Sequence, residues 1–309
     1  MTFNPNDSRY ASAVGAWLQD NFEAQFTSQN AVLARLKIGN AIKTGAAYLV
    51  VPVHKAANPS VAGVSNFNSP MSIPADQGLS AVYTWSWYQG LTTINKQEEV
   101  AINTEYEMVD LLQARLQATI ASFAELINTD LFSTTGAQLS KIAGIPFAVN
   151  NAAATFGGID RTTETWWRAQ VQGSVGALTL QKMNSMYNLL QGSAGKPPNI
   201  IVMPTDLFGA YESLIIASQR FTQDQRMAEL GFTSYLHKGA TVLFDTQCPA
   251  GTIFYLNDQF IYLAQMSREP NSDPIEFPDR LVKGYKHWYA AALVATRCNA
   301  LGRQNGVTV

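Results

Sequence analysis

Three histidines, two cysteines and a few short glycine or acidic runs are all that this 309-residue chain offers for conventional chemistry. His54, His237 and His287 lie far apart, with no Cys or acidic residue at metal-ligand spacing, and read as surface or packed histidines. Cys248 and Cys298 are too few for a disulfide framework and read as reduced, partly buried thiols. Gly195-Lys196 is followed by Pro197 where a phosphate-binding loop needs Ser or Thr, and no Gly stands five residues before Gly195. Gly173-Ser174-Val175-Gly176 lacks the residue that a nucleophile elbow places between Gly and Ser. Glu98 and Glu99 are sequence neighbours, which on a strand point to opposite faces and make no carboxylate pair. The expectation is a protein without catalysis, metal or cofactor.

The aromatic residues are the remaining candidates. Tyr83, Trp85, Trp87, Trp166 and Trp167 are of the type that stacks on sugars or bases. Stacking on single-stranded nucleic acid comes with a basic groove, and no Lys or Arg falls between Gly63 and Leu91. A carbohydrate-binding module with exposed Trp is the alternative from another class. Tyr83, Trp85 and Trp87 belong instead to a ribbon. Tyr48-Leu49-Val50-Val51-Pro52-Val53 reads as one strand, then comes a loop rich in Pro, Ser, Asn and Gly, then a return strand. In the return strand Leu79, Ala81, Tyr83, Trp85 and Trp87 share one face by period-two alternation. A lone two-stranded hairpin is marginally stable in water, and few nearby residues read as cover for these rings. Tyr83, Trp85, Trp87 and Lys55 are therefore expected at contacts with another molecule, and the chain reads as a building block.

The elements around the ribbon suit that role. Thr104-Glu105-Tyr106-Glu107 fits a capping box. Val109, Leu112, Leu116, Ile120, Phe123 and Ile127 then recur at steps of three and four. No Pro or Gly interrupts Thr104 to Thr135, which predicts a rod of roughly 40 Å. Net charge is −2 and charged residues are only 14 %, which gives no electrostatic footprint for a free-standing DNA-binding protein. A weakly charged exterior suits a surface that meets copies of itself. No apolar run approaches the 18 or so residues of a membrane span, and the N-terminus lacks the basic and apolar regions of a signal peptide. The expected compartment is the cytoplasm. Before the ribbon lies a polar lead-in with a modest helical pattern (Val14, Trp17, Leu18, Val32, Leu33, Leu36). From Leu178 to Phe277 the pattern is α/β: a helix from Leu178 to near Gly192, a strand at 199–203, and a helix from Thr205 to Ala217. Strands follow at Ala240–Phe244, Ile253–Leu256 and Phe260–Leu263. Trp288 to Val294 reads as a closing strand.

Phe156-Gly157-Gly158-Ile159-Asp160-Arg161-Thr162, followed by Trp166-Trp167-Arg168, resembles a segment of tailed-bacteriophage major capsid proteins. Leu126-Ile127-Asn128 and Ile142-Ala143-Gly144-Ile145 resemble their surroundings in that family, and the order of elements is similar. The resemblance implies an α+β chain with the Hong Kong 97-like fold, forming hexamers and pentamers that close an icosahedral shell around double-stranded DNA. It implies an N-terminal arm (1–45), an extended loop (46–103), a peripheral domain (104–175 with 285–309) and an axial domain (176–284). The same fold also builds bacterial nanocompartments of the encapsulin kind, which enclose an enzyme cargo. Some capsid members cross-link by a Lys–Asn isopeptide bond, but nothing marks Lys55 or Lys96 as reactive. With barely 45 residues before the ribbon and a start at Met1, scaffolding is expected from a separate protein; portal and decoration proteins are further implied partners. Arg280, Lys283, Lys286, Arg297 and Arg303 have no acid after Asp279. Lys283 and Lys286 are thus candidates for a weakly basic inner surface touching DNA phosphates, with solvated or inter-subunit ion-pair groups as the alternative. The expected location is the virion capsid, assembled in the host cytoplasm.

Overall fold

A computed structural model describes residues 4–28, 30–37, 47–55, 78–102, 104–217, 235–267, 270–277 and 281–309. The polar lead-in contains two helices, α1 (Ser8–Ser28) and α2 (Ala31–Lys37). Their apolar repeat buries Tyr10, Val14 and Leu18 of the first and Val32, Leu33 and Leu36 of the second. The ribbon is present: β1 (Tyr48–His54) runs antiparallel to β2 (Gly78–Thr84), from Tyr48 opposite Thr84 to His54 opposite Gly78. The expected loop between them, residues 56–77, lies outside the described residues, as does the side chain of His54.

The return strand continues as β3 (Ser86–Asn95) and then turns into a helix, α3 (Lys96–Ala101). Glu98 and Glu99 therefore lie on a helix, which corrects the strand expected there. Asn95 is the reason: its side chain accepts from the Glu98 amide at 2.9 Å, and the Glu98 carboxylate accepts from the Asn95 amide at 3.1 Å. This is a complete capping box.

The long helix is α4 (Glu105–Leu131), 27 residues. Thr104 caps it as expected, accepting from the Glu107 amide at 3.3 Å. It stops at Phe132, short of the expected Thr135. Met108, Leu112, Leu116, Ile120, Phe123, Ala124, Ile127 and Leu131 are buried against α1 and β3. Thr104→Ala is expected to cost about 1 kcal/mol, read as a shift in the urea midpoint at constant slope.

Beyond α4 the chain forms α5 (Ile145–Ala148), a small hairpin of β4 (Thr155–Phe156) with β5 (Ile159–Asp160), then β6 (Gln170–Gln172) and β7 (Gly176–Ala177). Next come α6 (Leu180–Ala194), β8 (Ile200–Met203), α7 (Thr205–Ala217), β9 (Tyr235–His237) and β10 (Ala240–Phe244). The remainder is strand: β11 (Thr252–Leu256), β12 (Ile261–Gln265), β13 (Asn271–Phe277), β14 (Val282–Ala295), β15 (Gly302–Asn305) and β16 (Val307–Thr308). Thr179 caps α6, which runs two residues past Gly192 to a left-handed Gly195 at φ 68°.

Two main sheets result. One has six strands in the order β6-β15-β11-β8-β10-β9, with β8 fully buried at its centre. The other is organised by β14, whose 14 residues pair with β3 along one edge and with β13 and then β12 along the other. A Cβ on Gly284 would stand 2.0 Å from the Thr92 carbonyl oxygen, so this close strand approach needs glycine. Sheet membership cuts across sequence order. Strands β12 and β13 join the sheet of the long helix, while β6 and β15 complete the six-stranded sheet.

His287 joins three of these elements. Its ring nitrogens lie 2.7 Å from Ser272 Oγ and 3.0 Å from Thr92 Oγ1, which in turn meets Thr119 Oγ1 of α4 at 3.1 Å. It is a packed histidine, and burial lowers its pKa to about 4. Because that is below the unfolded value, the contribution to stability is complete above about pH 6.5 and is lost as pH falls through 4. The size is on the order of 3 kcal/mol. His287→Gln should flatten the fall in unfolding free energy between pH 6.5 and 4; an unchanged slope would contradict this assignment.

Candidate assembly surfaces

The ribbon is sheltered from within the chain. Leu49, Val51 and Val53 of β1 and Ala81 and Tyr83 of β2 face the core. The Tyr83 hydroxyl donates to the Ala295 carbonyl at 2.5 Å and accepts from the Ala295 amide at 3.2 Å. Its ring meets Phe156 edge-on at 5.5 Å. Trp85 is only 3 % exposed. The expectation that Tyr83 and Trp85 await a neighbour is therefore corrected: both are buried within their own chain. The cover comes from the turn between β4 and β5. Val82 donates its amide to the Gly157 carbonyl at 2.8 Å, and a Cβ on Gly157, at φ 62°, would stand 2.9 Å from the Tyr83 ring. Behind that turn Trp167 is fully buried and donates its indole N–H to the Phe156 carbonyl at 2.9 Å.

Trp85 interrupts the strand between β2 and β3, and there the alternation slips by one residue. Trp85 and Ser86 both turn inward, Ser86 Oγ bonding the Gln138 and Lys141 carbonyls. Trp87 consequently points outward, 45 % exposed, which corrects the shared face expected for it with Trp85. The unsheltered apolar groups are thus on the other side of the ribbon. Tyr48, Val50 and Val82 are 57 %, 55 % and 40 % exposed, and Val50 stands directly opposite Val82. A second outward surface holds Trp87, Leu91 and Trp288 on the β3–β14 face, with Lys286 opposite Leu91. Lys55 follows β1 at the loop end of the ribbon, in an ion pair with Glu164 at 2.9 Å.

No protein-family model and no curated protein matches the sequence. Solved structures do. The structure of the cyanophage A-1(L) capsid asymmetric unit matches 90 % of this chain and 92 % of its own, with TM-score 0.70 and 16 % identity. The capsid of an empty GTA particle matches 89 % of each chain, with TM-score 0.63 and 12 % identity. The holo-SrpI encapsulin complex from Synechococcus elongatus PCC 7942 matches 90 % of this chain and 87 % of its own, with TM-score 0.63 and 11 % identity. The chain has the Hong Kong 97-like fold.

Within this Hong Kong 97-like fold the expected basic residues are dispersed. Lys283 and Lys286 are three apart on one strand and so lie on opposite faces. Lys283 faces Glu276 at 4.0 Å, whereas Lys286 is exposed. Arg303 turns inward to the Pro146 carbonyl at 3.0 Å, Arg297 lies over the Phe260 ring, and Arg280 is outside the described residues. A single basic surface is not formed by Lys283 and Lys286. The two neighbouring rings on the outward sheet face, Trp87 and Trp288, are inclined at 44° with centroids 5.7 Å apart, so they make no flat platform for a sugar.

Proposed function

We propose that this protein is the major capsid protein of a tailed bacteriophage, self-assembling into hexamers and pentamers that close an icosahedral shell around double-stranded DNA. The observation that carries this reading is the fold, shared with a cyanophage capsid subunit across nine-tenths of both chains. The surfaces support it. A ribbon with an apolar outer face and an aromatic sheet face give each copy two places to bury area on neighbours. Residues 1–45 act as the arm and 46–85 as the extended loop; β3 belongs with α4 and the β14 sheet in the peripheral domain, and the axial domain is built on the six-stranded sheet. Trp87 and Lys286 join Tyr48, Val50 and Val82 as contact residues, while Lys55 holds the ribbon to its own body. Portal, scaffolding and decoration proteins are further partners, and assembly takes place in the host cytoplasm before the shell becomes part of the virion.

The encapsulin match at the same TM-score as the GTA capsid favours a second reading, a nanocompartment shell around a protein cargo. Electron microscopy of the expressed protein tests both. Closed shells are expected, with nuclease-protected DNA in particles from infected cells. A single enclosed protein would move the assignment to the second reading. A monomer under all assembly conditions would remove both.

A further inference from the structure

Three guanidinium groups, Arg161 and Arg168 of the segment 147–168 and Arg303 packed on it, gather with no carboxylate in direct contact among the described residues. Arg161 is fully buried and donates to the Phe147 carbonyl at 3.0 Å and the Ala148 carbonyl at 2.5 Å. Arg303 donates to the Pro146 carbonyl at 3.0 Å and to Asn150 Oδ1 at 3.3 Å. Arg168 donates its Nε to the Arg161 carbonyl at 2.8 Å. Among the described residues none of the three has a carboxylate within 4.0 Å. Burial, and then the nearness of Arg161, lower the pKa of Arg303. The fold has solvated these cations with carbonyls, and Asp160, acting on Arg168 from beyond contact distance, offsets only part of their positive potential.

Arg168 carries that potential to open space. It lines a cavity of about 470 Å³ together with Asn151, Thr165, Ser193 and Asn299, with Trp166 also in the lining. The two terminal nitrogens of Arg168 have no hydrogen-bond partner among the described residues. Two free N–H groups of one planar guanidinium match two oxygens of a single anion. The hydroxyls and amides around it supply neutral donors. We propose that this cavity binds a small oxyanion, a phosphate or carboxylate group, on the free side of Arg168.

The test uses the purified full-length chain, titrated separately with inorganic phosphate and with acetate, against chloride at matched ionic strength. Trp166 fluorescence reports both anions, and phosphorus NMR line width reports phosphate independently. Saturable binding is expected, weakened about tenfold or more in Arg168→Gln and less in Arg168→Lys. Trp166→Phe should remove the fluorescence change and keep the line broadening. Saturation by phosphate alone, by acetate alone or by both supports the site and assigns its source. No saturable response in the wild type overturns it, and so does equal binding by Arg168→Gln. Should Arg168→Gln fail to fold, equal binding by Arg168→Lys overturns it instead.

Discussion

Val50→Asp combined with Val82→Asp is expected to yield a folded subunit that no longer closes shells. The two valines face each other on the outer side of the ribbon and are about half exposed, so the monomer loses little. Exposed substitutions of this kind change stability by about 0.5 kcal/mol or less. In an assembly, burying the exposed half of each valine is worth about 1 kcal/mol, and two carboxylates would have to be desolvated in the same place. That loss recurs at every copy, and closure depends on the sum. Sedimentation and electron microscopy should show soluble monomers or capsomers, with a thermal midpoint lowered only slightly by the two facing charges. Tyr83→Ala is the opposite control, because its ring lies inside the subunit: stability falls first. Closed shells from the double Asp variant would remove the ribbon's outer face from the list of contacts.

Trp167→Ala should be among the most damaging single truncations in this chain. The side chain is fully buried, and its indole N–H satisfies the Phe156 carbonyl. Removing it leaves a large void and an unpaired acceptor, for a loss of about 3–5 kcal/mol. Set against a usual total of roughly 5–15 kcal/mol, that puts the folded state near its limit at 37 °C. Trp166→Ala, next in sequence but only partly buried, should cost much less. Chemical denaturation of both variants decides the matter, and near-equal losses would contradict the packing described for Trp167.

Local grammar made much of this fold legible. Thr104 announced the long helix, Thr179 capped α6 as it begins, and the strand at Ala240–Phe244 falls at its expected bounds. The box at Asn95 and Glu98 uses the same signal and could have been read the same way. What periodicity could not supply was which strands pair. Gly302–Asn305 and Gln170–Gln172 are distant in sequence and too short to show alternation, yet they lie side by side. The candidate surface was half legible. Alternation located the ribbon, but a slip at Trp85 decides which aromatic faces out, and a one-residue slip exchanges the faces of everything after it. The cover for the ribbon was also out of reach, because it comes from a glycine turn more than seventy residues later. The Phe156–Arg168 segment stood out by resemblance before its physical role was visible: it packs on the ribbon and holds the fully buried Arg161 and Trp167 beside the buried Phe156.

The position of β15 has a consequence for synthesis. It lies between β6 and β11, so those two strands cannot share a sheet until residue 305 has left the ribosome. A nascent chain cut short before that point keeps two strand edges open, and open edges pair with whatever is near. An unfinished copy is therefore exposed to aggregation through edges that the complete chain pairs within itself.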